Sequence, residues 1–292
     1  MSSRVPAQRF GARLAAAMAA HGPLCAGIDP HADLLAAWGL PDDASGVERL
    51  GRGVVEALAG SVACVKPQAA FFERHGSRGL GALEAVIADA RAAGLLTIVD
   101  AKRGDIGSTM AAYADAFAGD SPLAGDAVTL SPFLGFGSLR PVLDVAAAHG
   151  RGVFVLALTS NPEGGAVQHA RGADSRSVAR SIAEAAAAEN SGAAPFGDVG
   201  LVVGATVGSA VSELDIDLAA VNGPLLAPGV GAQGASAEDL QSVFGHRTAS
   251  GDARRLVLAA SSREILRAGP DPAALRAAAR RGADDVRAAL TA

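Results

Sequence analysis

Leu95-Leu96-Thr97-Ile98-Val99-Asp100-Ala101-Lys102-Arg103-Gly104-Asp105 is an apolar run that ends abruptly in charge. Its opening residues lack the polar alternation of a half-exposed strand, as expected of a strand covered on both faces. Seven further runs of this kind recur: Leu24 to Ile28, Val62 to Val65, Ala127 to Leu130, Val153 to Leu158, Val199 to Val203, Leu225 to Ala227 and Leu256 to Ala260. Ala-rich segments with helical spacing lie between them, among them 81–93, 139–148 and 178–189. Regular exchange of buried strands with helices points to a parallel sheet, and eight such units point to an α/β chain folded as a single-domain (β/α)8 TIM barrel over residues 1–292. A doubly wound open sheet is the competing arrangement, because periodicity does not count closure. The polar residues favour the barrel: Asp29, Lys66, Asp100 with Lys102, Ser131, Thr159 to Asn161, Pro228 and Ser261 to Arg263 each follow a run at once, and a barrel gathers such ends at one mouth.

The chain has 292 residues, half of them apolar, enough for a sizeable core. A net charge of -5 provides no basic footprint for nucleic acid, and the apolar stretches are too short to span a bilayer, so neither is expected as a partner. The two cysteines, Cys25 and Cys64, sit in apolar runs outside any zinc pattern and read as reduced core thiols, which suits a cytoplasmic location. Arg4, Arg9 and Arg13 around the Ala-rich start have the look of a targeting peptide, but Phe10, Leu14 and Met18 fall on one helical face. We therefore expect a helix at about 6–20 that packs on the domain. No linker divides the chain. The stretch 161–177, with Gly164, Gly165 and Gly172, reads either as a lid over the site or as a long surface loop, and 119–125 and 245–251 read as plain connections.

Of 25 basic residues only two are lysine, Lys66 and Lys102, and each ends a strand-like run. Arginine stays protonated at any working pH, whereas an ammonium can be tuned to give up a proton, so these two positions are candidates for acid–base chemistry. Residues two apart on a strand face the same way, which would project Asp100 and Lys102 together from one strand end, with Lys66 beside them. Alternating charges in a partly desolvated mouth attract by on the order of 4 kcal/mol per close pair. A structural salt-bridge network is the plainer account of the same residues.

Near the C-terminus, Pro228-Gly229-Val230-Gly231-Ala232-Gln233-Gly234 follows run seven, and Ser261-Ser262-Arg263 follows run eight before a helix starting near Glu264. Loops at these positions bind phosphate in barrels through backbone amides, a helix N-terminus and a forked guanidinium. Asp29, in Gly27-Ile28-Asp29-Pro30, could accept hydrogen bonds from a sugar hydroxyl. The histidines form no metal-ligand spacing, so neither a metal nor a cofactor is expected. His31 reads as a solvent-facing loop residue, and Trp38, Phe71 and Phe72 as packing.

Taken together, Gly27-Ile28-Asp29-Pro30, Val65-Lys66-Pro67, Asp100-Ala101-Lys102-Arg103-Gly104-Asp105-Ile106 with Thr109, Thr159-Ser160-Asn161-Pro162 and the Pro228 to Gly234 turn resemble the orotidine 5'-phosphate decarboxylases, most closely the longer, mycobacterial-type branch. The resemblance implies decarboxylation of orotidine 5'-phosphate to UMP without metal or cofactor. It implies that Asp29 holds the ribose, Lys66 bridges ribose and Asp100, Asp100 faces the substrate carboxylate, and Lys102 protonates the carbon that loses CO2. It further implies a homodimer in which Asp105, Ile106 and Thr109 enter the neighbouring site, with Ser160 on the pyrimidine, Pro228 in the substrate-binding turn, and Gln233 and Arg263 on the phosphate. Two segments depart from shorter relatives of that family: Ala260-Ser261-Ser262-Arg263 replaces a Gly-Arg pair, and Thr159-Ser160-Asn161-Pro162 replaces a Ser-His-Pro form. Two rivals stand beside this reading. One is a magnesium-dependent sugar-phosphate decarboxylase with the same D-x-K-x-x-D strand, in which an acid stands where this chain has Lys66; the other is a catalytically silent ligand-binding barrel.

Overall fold

The computed structural model describes residues 8–230 and 234–291. Eight parallel strands close into a barrel: β1 (Leu24–Ile28), β2 (Cys64–Pro67), β3 (Leu96–Arg103), β4 (Ala127–Leu130), β5 (Gly152–Leu158), β6 (Val199–Val203), β7 (Leu225–Pro228) and β8 (Val257–Ser261). Closure joins Cys25 of β1 to Ala260 of β8 on one side and to Cys64 of β2 on the other. Every residue of β1, β2, β4, β6 and β8 is buried, which is why these strands read as largely apolar runs, with Lys66, Thr129 and Ser261 as their polar members. Cys25 and Cys64 are thus free, buried register partners, and burial, reinforced by Cys25, pushes the Cys64 thiol well up.

The outer helices bury one face each. In Ala44–Leu58, Val47, Leu50, Val54 and Leu58 turn inward, and the Asp43 carboxylate caps the start by accepting from the Ser45 and Gly46 amides. The expected helices lie at Gly76–Ala92, Arg140–Ala148 and Val178–Glu189. The connection at 245–251 carries more order than expected, since Arg247–Thr248 pairs antiparallel with Gly251–Asp252.

The N-terminal helix, Phe10–His21, closes the end of the barrel opposite the site. Phe10 is fully buried, edge-on to Phe154 with ring centroids 6.0 Å apart. A side chain at Gly152, the first residue of β5, would come within 2.1 Å of the Phe10 ring, so glycine there makes room for the plug. Asp198, just before β6, accepts from the Gly11 amide at 2.8 Å and the Arg9 guanidinium at 2.7 Å, while Arg13 pairs with Asp126 ahead of β4. Among the described residues no helix is long and apolar enough to cross a membrane.

Candidate active site

At the C-terminal ends of β2 and β3 the two lysines meet on one carboxylate. Asp100 Oδ2 accepts from Lys66 Nζ at 2.7 Å and from Gln68 Nε2 at 3.0 Å. Its Oδ1 accepts from Lys102 Nζ at 2.6 Å and from the Thr129 hydroxyl at 2.8 Å. A carboxylate offers about four lone-pair directions, and all are occupied.

The electrostatics follow from burial and pairing. Burial works against charge on Lys66, but Asp100, followed by Asp29, outweighs it and holds the ammonium above the ordinary lysine range. Burial likewise raises Asp100, and Lys66 and then Lys102 overcome it, leaving the carboxyl well below the usual range. Lys66 is therefore a firmly charged lysine, contrary to the expectation that both lysines are tuned to release protons. Exposure separates their tasks: the Lys66 side chain is 8% exposed and that of Lys102 45%. An incoming molecule can reach Lys102 without dismantling the buried pair.

Asp100 and Lys102 do meet, but not by simple strand alternation. Val99 pairs with Val128, whereas Arg103 pairs with Leu130, so two extra residues bulge out of β3 between them. Lys102 itself has φ +47°, a left-handed conformation costing on the order of 1–3 kcal/mol for a non-glycine residue. Gln68 and Thr129 are site residues that sequence reasoning overlooked. Gln68 stands two residues beyond Lys66 and bridges to Asp100, so the same-face rule applied to β2 would have found it. Thr129 is a hydroxyl inside an otherwise apolar run, which is a weaker signal.

Beside the cluster lies a cavity of about 350 Å3 between the ends of β1, β7 and β8, bringing together Asp29, His31, Lys66, Pro228 and Arg263. Asp29 Oδ1 is buried without a hydrogen-bond partner among the described residues. His31 is a loop residue as expected, but a half-buried one: its ring packs on Phe71, centroids 4.3 Å apart, and forms part of the cavity wall. Phe72 is core, and Trp38 is half-buried, donating to the Leu266 carbonyl at 2.9 Å.

The turn after β7 accounts for Gly229 and Gly234. Gly229 has φ +93°, and a side chain at Gly234 would sit 1.6 Å from the Gly229 carbonyl oxygen, to which the Ala235 amide donates at 2.6 Å. Gln233 lies outside the described residues. Arg263 opens a helix of a single turn, Arg263–Leu266. A macrodipole needs many aligned peptides, so the guanidinium and nearby amides, rather than the dipole, carry the anion-binding capacity expected here.

The remaining expected residues do not join this cavity. Ser160 is exposed beyond β5, and Thr109 is exposed on the helix Gly107–Ala118. The Asp105 carboxylate accepts from the Ile106 amide at 2.8 Å, and Ile106 is 61% exposed. Among the described residues no hydrogen bond joins these four to Lys66, Asp100 or Lys102. The stretch 161–177 is folded against the strand end rather than structureless: Gln168 accepts from the Thr159 amide at 2.9 Å and donates to its hydroxyl at 2.6 Å.

A closed barrel whose C-terminal mouth carries fixed charges beside an arginine-lined cavity defines a (β/α)8 enzyme built for electrostatic work on an anionic ligand. Residues 22–278 match the family described as Orotidine 5'-phosphate decarboxylase / HUMPS family. The chain is 61% identical over 285 residues to an orotidine 5'-phosphate decarboxylase of Salinispora arenicola, covering 97% of this chain and 99% of that one. It is 58% identical to one of Streptomyces coelicolor, with the same coverage. A crystal structure from Streptomyces avermitilis assigned to that activity superposes with a TM-score of 0.92 at 58% identity, covering 100% of this chain and 99% of the other. The chain belongs to the orotidine 5'-phosphate decarboxylase family.

Proposed function

We propose that this protein decarboxylates orotidine 5'-phosphate to UMP, with Lys102 protonating the carbon that loses CO2. The observation that carries the proposal is the Lys66–Asp100–Lys102 cluster, whose Lys102 ammonium is open to solvent and whose Lys66 lines a cavity that also holds Asp29 and Arg263. Loss of CO2 leaves a carbanion in the plane of the pyrimidine ring, where the ring π-system does not delocalise it. The protein must supply fixed charge where that charge develops. Lys102 does so and then delivers a proton along a short path, which a broad guanidinium does poorly.

The other residues fit around this step. Asp29, with an unpartnered buried oxygen, suits the ribose hydroxyls, and Lys66 holds Asp100 ionised beside the substrate carboxylate. Gln233 and Arg263 bind the phosphate, whose binding energy helps position the ring, and Pro228 at the end of β7 contributes to the substrate-binding wall. Ser160 contacts the base. The exposed Ile106, Phe133 and Leu134 beside the mouth support a homodimer in which Asp105, Ile106 and Thr109 enter the partner's site. Metal-assisted decarboxylation of a sugar phosphate is disfavoured because the four donors on Asp100 leave it no lone pair for a cation. Cytoplasmic pyrimidine synthesis is the setting this activity implies.

An absorbance assay of the purified protein with orotidine 5'-phosphate in EDTA tests the reading. Decarboxylation is expected to proceed undiminished. No turnover, or turnover only after magnesium is restored, would sink it.

A further inference from the structure

At the mouth, β3 and β4 fall out of step, and the residues freed by the slip are those of the reacting cluster. A bulge deprives an amide of its ladder partner. The Lys102 amide finds a substitute in the side chain of Thr129, donating to its hydroxyl oxygen at 3.0 Å. That hydroxyl passes its own proton to Asp100 Oδ1 at 2.8 Å, the same oxygen that receives Lys102 Nζ at 2.6 Å. A ring closes: Lys102 backbone, Thr129 hydroxyl, Asp100 carboxylate, Lys102 ammonium.

Thr129 is 1% exposed and stands in β4 between Val128 and Leu130. Valine has the same shape and a strong strand preference, so packing alone does not call for a hydroxyl here. A buried hydroxyl is unfavourable unless bonded, and both bonds of this one go to the two residues of the reacting cluster on β3. The left-handed backbone of Lys102 also needs something to hold it, because neither side-chain sterics nor the β ladder favours it.

We propose that Thr129 is a positioning residue for Lys102: its hydroxyl fixes the bulge and sets the ammonium on Asp100 at the place where the carbanion forms. The inference rests on the assignment of Lys102 as proton donor. Thr129 touches no substrate in this role; it acts through the lysine and the aspartate.

The test compares Thr129→Val, which keeps the shape and loses the hydroxyl, with Thr129→Ser, which keeps the hydroxyl. Thr129→Val is expected to lower kcat about tenfold or more while KM for orotidine 5'-phosphate stays within about twofold, and Thr129→Ser to restore most of kcat. Because the chain has only two lysines, nitrogen-labelled lysine should yield two side-chain ammonium resonances, assigned with Lys102→Ala. In Thr129→Val the Lys102 resonance should shift and exchange faster with water, while that of Lys66, bound to the other Asp100 oxygen, stays protected. Should the valine variant not fold, Thr129→Ala must give the same pattern. The proposal is overturned if kcat stays within about twofold, if KM rises as steeply as kcat falls, if Ser is as damaged as Val, or if the Lys102 resonance does not move. Failure of the unmodified protein to act on orotidine 5'-phosphate would strike the functional reading instead, and the lysine spectra would still decide whether Thr129 positions Lys102.

Discussion

Asp100 is fully committed, with two ammonium groups, an amide and a hydroxyl on its two oxygens. Replacing Lys102 by arginine keeps one positive charge but asks a wide planar group to enter a space shaped for a compact one, and removes the available proton. Lys102→Arg should therefore be nearly as inactive as Lys102→Ala; retention of more than about a tenth of kcat, a barrier change of only about 1.4 kcal/mol, would remove Lys102 from the role of proton donor. The same cluster shapes acid stability. The depressed pKa of Asp100 means that its stabilisation is complete above the ordinary aspartate range and is lost as pH falls through the lower folded-state value. The raised pKa of Lys66 means that its contribution is complete below the ordinary lysine range and is lost only as pH rises through its elevated value. Removing the charge from Asp100 leaves a buried cation unpaired, at a cost of about 3–5 kcal/mol. The difference in Tm between the unmodified protein and Asp100→Asn should stay flat from about pH 5 to 9 and close progressively below about pH 4. A difference that already narrows at neutral pH would contradict the depressed Asp100.

The elements that meet at the cavity divide its labour, and Arg263 offers a clean test of that division. It follows β8, at the edge of the cavity that Pro228 reaches from β7, on a helix too short to bind an anion through its dipole. Arg263→Ala should lower kcat/KM for orotidine 5'-phosphate far more than for the phosphate-free nucleoside, since only the former has a group for the guanidinium to hold. Equal losses on both substrates would make Arg263 structural. The strands themselves were legible in the sequence because burial on both faces leaves continuous apolar runs, and Leu24–Ile28, Ala127–Leu130 and Val199–Val203 coincide with observed strands residue for residue. The chemical content of the strand ends was equally legible in Asp29, Lys66, Asp100, Lys102 and Arg263. What one strand does depends, however, on its neighbour's register, and a linear reading has no access to it. The bulge in β3 exists only relative to β4, and Thr129 gains meaning only once Asp100 lies against it. His31 escaped for a similar reason: its packing against Phe71 joins the segment after β1 to the short helix Ala69–Glu73 after β2, which meet only once the two strands pair.

Across the whole molecule, the mouth carries apolar groups that a solitary barrel has little use for. Phe133 is 76% exposed and Leu134 53%, following β4, close in the fold to Ile106 after β3. Asp105 sits one residue before Ile106 and spends its carboxylate on its neighbour's amide rather than on the lysines of its own chain. Both facts suit a twofold dimer in which each protomer lends Asp105 to the other's site and receives one in return. Complementation tests this directly. Lys102→Ala protein lacks the proton donor in its own barrel, and Asp105→Ala protein lacks the group it lends. In a mixed dimer, the barrel that keeps Lys102 receives an intact Asp105 from the Lys102→Ala chain, so one site is whole and the other lacks both groups. After subunit exchange of equal amounts, random pairing makes about half the dimers mixed, each with one good site of two, so about a quarter of the unmodified activity should return. If mass spectrometry finds the mixed dimers and activity stays at the level of the separate variants, Asp105 works within its own chain, and the exposed Phe133 and Leu134 need another explanation.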